Sequence, residues 1–117
     1  LTGLMDKRTF LRKVDEELLR QHRYGGRLSL VMLDIDHFKA LNDTFGHADG
    51  DIILTQVAEM MKNQARSTDF CARYGGEEFG ILLIGVGLSA GKTFAERLRQ
   101  RIQNRFEKTD YKISLFL

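Results

Sequence analysis

Hydrophobic positions along the chain follow two periods, one typical of helices and one typical of buried strands. Residues 7–21 predict an amphipathic helix, because Phe10, Val14 and Leu18 recur at i, i+4 and i+8. The Leu28–Leu33 segment is short and almost wholly apolar. It predicts a central strand that is buried on both faces.

The rest of the chain continues this mixture. Further helices are predicted over residues 37–45, 50–65 and 92–106, and further strands over residues 70–74, 79–84 and 111–117. The apolar stripes of those helices consist of Phe38, Leu41 and Phe45, then Ile53, Val57, Met60 and Met61, then Phe94, Leu98 and Ile102. Gly75-Gly76 between two strands is typical of a hairpin turn. The order of elements predicts an α/β fold with a partly antiparallel sheet covered by helices.

Composition narrows the classes of protein that the chain can represent. With 117 residues, 43% hydrophobic and 29% charged, it is expected to form one domain rather than a disordered chain. Its single cysteine, Cys71, excludes an internal disulfide and fits a reducing cytoplasm. Eighteen basic and sixteen acidic residues give a net charge of +2, too balanced for a protein that coats nucleic acid. A phosphate-bearing ligand would therefore need a local site.

Two acidic pairs stand at the predicted ends of strands. Asp34 and Asp36 follow the buried strand, and Glu77 and Glu78 lie at the hairpin turn. If these elements are neighbours, the carboxylates converge, and two of them about 4 Å apart repel by roughly 4 kcal/mol at an effective dielectric constant of about 20. A divalent cation relieves that repulsion, and oxygen ligands favour Mg²⁺. Solvated acids in turns are the alternative interpretation.

Three polar residues near the first acidic pair suit a nucleotide. Lys39 lies one helical turn from Asp36 and suits a phosphate, although a solvated helix lysine is the more common case for Lys39 taken alone. Asn42 and Asp51 together supply the amide and carboxylate that can read the edge of guanine. Each of the two also suits an Asx cap or turn.

A second candidate site begins with Arg66 and Asp69. The spacing RxxD is common, and such pairs often hold turns together. An arginine can instead fork onto a phosphate or a guanine edge, while the carboxylate accepts from guanine. Arg73 is a further candidate near this surface.

Four motifs in order resemble those of the GGDEF family of diguanylate cyclases, over essentially the whole chain. They are Gly75-Gly76-Glu77-Glu78-Phe79 (the GGEEF form of the signature), the run from Asp34 to Asp51, the opening Leu1–Leu4, and Ala95–Arg99. The resemblance implies a nucleotidyl-cyclase or palm-like fold, a central and mostly antiparallel sheet surrounded by helices. It implies condensation of two GTP molecules into cyclic di-GMP with release of two pyrophosphates, and a homodimer in which two domains face each other.

The resemblance also implies roles for individual residues. Asp34 and Glu77 would bind Mg²⁺, or alternatively Mn²⁺, with the backbone carbonyl of Ile35. Glu78 would support the site or take part in proton removal, and Lys39 would contact phosphate. The implied substrate contacts are the backbone of His37 and Phe38 at the phosphates, Asn42 and Asp51 at guanine, Leu1 beside the base, and Gly75 and Gly76 where the hairpin approaches the nucleotide. The implied inhibitory product site consists of Arg66, Asp69 and Arg97.

The sequence departs from the family at its end. The chain, 1–117, is expected to be a single domain that lacks the usual C-terminal strand and helix and any N-terminal sensor domain. The fragment is therefore expected to bind GTP weakly and to have little or no activity alone. A cytoplasmic location is expected, and a parent protein anchored to the membrane through an upstream segment is the alternative. The alternative function is a catalytically inactive domain that senses cyclic di-GMP or GTP.

Overall fold

The computed structural model describes residues 4–35, 38–39, 43, 46–106 and 114–116. Its helices and strands, in chain order, are α1 (Lys7–Tyr24), β1 (Leu28–Asp34), α2 (His47–Gln64), β2 (Phe70–Arg73), β3 (Glu78–Ile84), α3 (Leu88–Phe106) and β4 (Ser114–Phe116). The four strands form one sheet in the order β2-β3-β1-β4, and each neighbouring pair is antiparallel. The predicted α/β class and the hairpin are both confirmed.

The two faces of the sheet are covered by different helices. On one face, α2 and α3 supply the larger core with the inward side chains of β1 and β3. Its buried members include Val31, Leu33, Ile53, Val57, Met61, Phe79, Ile81, Leu83, Leu98 and Ile102. On the other face, Phe10 of α1 packs with Ala72 and Leu82. This three-layer arrangement holds β1 and β3 side by side, so that their ends meet.

The second face is only partly covered, and this corrects two predictions. Phe10 is buried, but Leu18, predicted for the same inner stripe, is 49% exposed. Leu30 on β1 is 47% exposed, so β1 is not buried on both faces. The reason is that α1 packs through Phe10 over β2 and β3 and leaves the first half of β1 uncovered on that face.

Boundaries differ from the predicted ones mainly at helix starts. The first helix runs to Tyr24, and Gly25 follows it with a positive φ of 80° that favours glycine. The second long helix begins at His47 and the third at Leu88, three and four residues before the predicted starts. Of the short helix predicted over residues 37–45, Phe38, Lys39 and Asp43 are helical, and the others lie outside the described residues.

Residues 111–113 and 117 of the last predicted strand also lie outside the described part. In the part of the chain that is described, no helix combines the length and the apolar character that a membrane span needs.

Candidate active site

The acidic residues of the two strand ends come together where β1 leaves the sheet. Asp34 is the last residue of β1 and pairs directly with Glu78, the first residue of β3. The Ile35 N–H donates to the Glu77 carbonyl at 3.2 Å, which extends the pairing one step into the turn. Directly opposed residues have Cβ atoms about 4.5–5.5 Å apart on the same face. The two strand ends are therefore neighbours, as the predicted convergence of the acidic pairs requires, and they bring the backbones of Asp34, Glu77 and Glu78 together. Asp36 lies outside the described residues.

The hairpin turn is held by backbone bonds to one carbonyl. The N–H groups of Tyr74 and Gly75 both donate to the Glu78 carbonyl, at 2.7 and 3.1 Å. A Cβ added at Gly75 would lie 3.0 Å from Glu78 Oε1, so glycine leaves room for that carboxylate to lie against the turn. At Gly76 a Cβ would meet no atom within 4 Å. Nothing within the described protein itself requires glycine at Gly76.

Arg73 lies at the hairpin turn and not, as predicted, beside the RxxD pair. Its guanidinium lies on the hairpin turn, where Nε donates to the carbonyls of Gly75 at 3.3 Å and Gly76 at 3.2 Å. Nη2 donates to the Gly76 carbonyl at 2.7 Å. The signal was the position of Arg73, two residues before a Gly-Gly pair, since a long side chain there reaches back over the turn.

The oxygen atoms at this edge are ligands that suit a hard cation. Carboxylate oxygens of Asp34, Glu77 and Glu78, with a backbone carbonyl such as that of Ile35, are the ligand type that Mg²⁺ prefers. Asp34 is half-buried, and its Oδ1 is shielded from solvent. Among the residues that the structure describes, no three His, Cys, Asp or Glu side chains already form a metal-binding group. The edge thus offers ligands of the right chemistry rather than a closed cage.

The other predicted site residues are dispersed around this edge. Ile35 and Phe38 are buried in the larger core, so their backbone, not their side chains, is what can face a ligand. Lys39 is exposed. Asp51 is exposed in α2, where its carbonyl accepts from Thr55 Oγ1 at 2.8 Å. The predicted substrate contacts outside the described residues are Leu1, His37 and Asn42.

The RxxD pair forms a closed unit at the far end of β3. Arg66 Nη2 lies 3.0 Å from Asp69 Oδ1, and the Arg66 backbone N–H donates to Asp69 Oδ2 at 2.9 Å. Both residues also bind Ile84: Arg66 Nη2 donates to its carbonyl at 2.6 Å, and its N–H donates to Asp69 Oδ1 at 3.3 Å. The Asp69 side chain has no exposed surface, whereas that of Arg66 is 55% exposed. The hydrogen bonds that the Arg66 side chain donates to the Asp69 carboxylate, together with the charge of that carboxylate, raise the pKa of Arg66.

This pair therefore holds the loop before β2 to the end of β3. Within the described residues, no hydrogen bond or ion pair joins it to Arg97, which is exposed on α3. A ligand that takes a hydrogen bond from Arg66 has to share or replace the bonds to Asp69 and Ile84. The structural and ligand-binding interpretations of the pair are both compatible with this geometry.

Cys71 offers no nucleophile. Its side chain is half-buried in β2, and desolvation raises the pKa of its thiol to about 11. A thiol with that pKa is almost wholly protonated at neutral pH and is therefore unreactive.

Comparison with known proteins gives a consistent result. Residues 1–115 match the family model described as "Diguanylate cyclase, GGDEF domain". The chain is 47% identical over 102 residues to diguanylate cyclase DgcP of Pseudomonas aeruginosa, which covers 87% of this chain and 15% of that protein. It is 42% identical over 108 residues to diguanylate cyclase A of Treponema denticola, covering 90% and 29% of the two chains. The chain thus spans less than a third of the length of these curated relatives.

Among solved structures, the GGDEF domain of DgcB from Caulobacter crescentus in complex with c-di-GMP matches with a TM-score of 0.87 and 32% identity, over 97% of this chain and 70% of that one. The antiparallel sheet, the hairpin that carries Gly75–Phe79 and the sequence comparisons agree. The chain belongs to the GGDEF-domain family of diguanylate cyclases.

Proposed function

We propose that this chain is the catalytic domain of a diguanylate cyclase, which condenses two GTP molecules into cyclic di-GMP and releases two pyrophosphates. The observation that carries the proposal is the pairing of Asp34 with Glu78 beside the Ile35–Glu77 backbone bond. It brings the backbones of three acidic residues together at one edge of the sheet, where Glu78 is exposed and Asp34 and Glu77 are half-buried. Positioning and charge neutralisation are what phosphoryl transfer requires of a protein.

Each half-reaction is an in-line displacement. The 3′-oxygen of one GTP forms a bond to the α-phosphorus of the other, and the bond from that phosphorus to the β-phosphate oxygen breaks. Pyrophosphate leaves with the electron pair, and the 3′-hydroxyl proton leaves the nucleophile. Two such steps close the ring, so each domain supplies one GTP and a second copy of the domain must face it.

The proposed metal ligands are Asp34, Glu77 and the carbonyl of Ile35. Bound Mg²⁺, or Mn²⁺ in its place, supplies charge neutralisation at the leaving pyrophosphate and lowers the pKa of the attacking hydroxyl. The carboxylates keep the ligand set anionic, while the buried Ile35 side chain anchors its own backbone. Glu78 is exposed at the turn and is proposed to accept the hydroxyl proton. The exposed Lys39 is proposed to offset phosphate charge.

The remaining substrate contacts stay predictions from the family resemblance. They are guanine recognition by Asn42 and Asp51, phosphate contacts from the backbone of His37 and Phe38, packing of Leu1 near the base, and close approach of the nucleotide at Gly75 and Gly76. Product inhibition through Arg66, Asp69 and Arg97 is proposed on the same basis. It is supported by the exposure of Arg66, whose guanidinium is accessible from solvent.

The experiment combines the purified full-length parent protein with GTP and Mg²⁺ and separates the nucleotides by chromatography. The Glu77→Gln variant is the test, because it removes one charge at nearly constant shape. Glu16→Gln, an exposed glutamate on α1, is the matched control. We expect cyclic di-GMP from the wild type and from Glu16→Gln, and at least about a hundredfold less from Glu77→Gln. A folded wild-type protein that binds cyclic di-GMP but makes none from GTP would favour the sensor function instead.

A further inference from the structure

We infer that Arg73 is a positioning residue for the active site, which holds the Gly75–Gly76 turn so that Glu77 and Glu78 meet Asp34. The inference rests on the proposed function. Its basis is the set of three hydrogen bonds from one guanidinium to two successive carbonyls of the turn, at 2.7 to 3.3 Å. The turn leads directly into Glu77, whose carbonyl accepts from Ile35.

The turn depends on these bonds because glycine gives it little stiffness of its own. Two consecutive glycines have more backbone freedom than any other pair, and neither has a side chain to pack. The other described anchors of the turn are the N–H groups of Tyr74 and Gly75, which both bind the Glu78 carbonyl. In the described part of the chain, Arg73 is the donor that reaches the carbonyls of Gly75 and Gly76. Removal of the Arg73 guanidinium would take away all three of these bonds.

Arg73 can act as a fixed point because its own backbone is held on both sides. In the sheet it pairs with Phe79 of β3. Toward the sheet edge, its N–H donates to the Met5 carbonyl at 3.0 Å, and the Met5 N–H donates to the Cys71 carbonyl at 3.1 Å. The side chain is half-buried, which limits the conformations open to it. The guanidinium therefore transfers the rigidity of the sheet to the turn.

Arg73 affects the carboxylates by fixing the position of the turn, and not by contacting them itself. Glu78 lies against Gly75, since its Oε1 stands 3.0 Å from where a Cβ of Gly75 would lie. A displacement of Gly75 thus moves the surface on which the Glu78 carboxylate rests. Outer residues that orient ligands typically change metal affinity or activity about ten- to a hundredfold when they are replaced. We expect effects of that size on the proposed Mg²⁺ site.

The experiment compares Arg73→Ala and Arg73→Lys with Arg12→Ala, which removes an exposed arginine from α1. Three quantities are measured: the Mg²⁺ concentration for half-maximal cyclic di-GMP synthesis, the thermal unfolding temperature, and amide hydrogen exchange at Tyr74 and Gly75. We expect Arg73→Ala to raise the half-saturating Mg²⁺ concentration about tenfold or more and to speed exchange at both amides. Arg73→Lys should recover only part of the loss, because an ammonium cannot fork onto two carbonyls.

Rescue by a small guanidinium compound separates positioning from stability. Ethylguanidinium at millimolar concentration should restore Mg²⁺ affinity to Arg73→Ala and leave Arg12→Ala unchanged. If Arg73→Ala does not fold, the half-saturating Mg²⁺ concentration of Arg73→Lys tests the inference in its place. An unchanged half-saturating Mg²⁺ concentration in Arg73→Lys and in folded Arg73→Ala would overturn the inference. A wild-type protein without cyclase activity would instead refute the proposed function, and the amide exchange would still report whether Arg73 holds the turn.

Discussion

Gly80 of β3 lies in close contact with Phe10 of α1, and Gly80→Ala tests how this helix packs onto the sheet. A Cβ at Gly80 would lie 2.8 Å from Phe10 Cε2 and 3.0 Å from Phe10 Cζ, with Met32 Sδ at 3.4 Å. Ordinary contacts between carbon atoms are about 3.5–4.0 Å. The Phe10 ring would therefore have to move, yet it is 1% exposed and enclosed by the smaller core.

The expected cost follows from two opposing effects. Overpacking of a filled core costs typically about 1–3 kcal/mol. Replacing glycine by alanine within a strand returns roughly 0.5–1 kcal/mol of chain entropy. We therefore expect Gly80→Ala to lower the free energy of unfolding by about 1–2 kcal/mol. Gly76→Ala is the matched control for stability, since its Cβ meets nothing within 4 Å, and it should change stability by less than about 0.5 kcal/mol.

Urea unfolding at equilibrium measures both variants, and a double variant tests the cause. Phe10→Leu removes the ring atoms that collide, so Gly80→Ala should cost less in that background than in the wild type. A coupling energy of about 1 kcal/mol is expected for side chains in direct contact. Equal stability of Gly80→Ala and Gly76→Ala, or strict additivity with Phe10→Leu, would refute this account of how α1 packs.

Two further predictions concern the RxxD pair and the cysteine. Arg66→Ala should raise the cyclic di-GMP concentration needed for half-inhibition at least about tenfold, measured from initial rates, whereas an inhibition curve equal to that of Arg12→Ala would exclude Arg66 from the product site. Cys71 should react with iodoacetamide at pH 8 about a hundred times more slowly than a thiol of pKa 9, because its pKa of about 11 leaves little thiolate. Its rate should rise with pH until the pH reaches that pKa, and a rate at pH 8 equal to that of glutathione would contradict the burial of the thiol.

Much of the fold could be predicted because each buried element has a clear period. The stripes through Val57 and Leu98 identify α2 and α3, and Gly75-Gly76 identifies the hairpin. The first turns of both helices were missed since periodicity reports only a buried face. Leu88, at the start of α3, is 74% exposed.

The sequence could not predict which part of the sheet α1 covers, because periodicity does not say which elements pack together. Leu18 and Leu30 are apolar, but whether an apolar residue is buried depends on which elements pack over it. The path of α1 across β2 and β3 is set by Phe10 and by the absence of a side chain at Gly80, a contact between residues 70 positions apart. No local pattern carries that information.

The candidate site was predicted in part. Asp34, Glu77 and Glu78 are recognisable as acids at strand ends, and the register of β1 with β3 confirms that they share an edge. The predicted position of Arg73, near the RxxD pair, was wrong. Its bonds to the carbonyls of Gly75 and Gly76 depend on the shape of the turn. Carbonyl oxygens have no signal in a sequence, so a side chain that binds them cannot be recognised from residue types.

The most direct test of the central claim is the ratio of products formed by the wild type and by Glu77→Gln. Pyrophosphate and cyclic di-GMP are quantified together from GTP and Mg²⁺, with Glu16→Gln as the control. The account predicts two pyrophosphates for each cyclic di-GMP in the wild type and the control, and neither product above background in Glu77→Gln. Synthesis by Glu77→Gln at the wild-type rate would contradict the assignment of the acidic edge as the catalytic site.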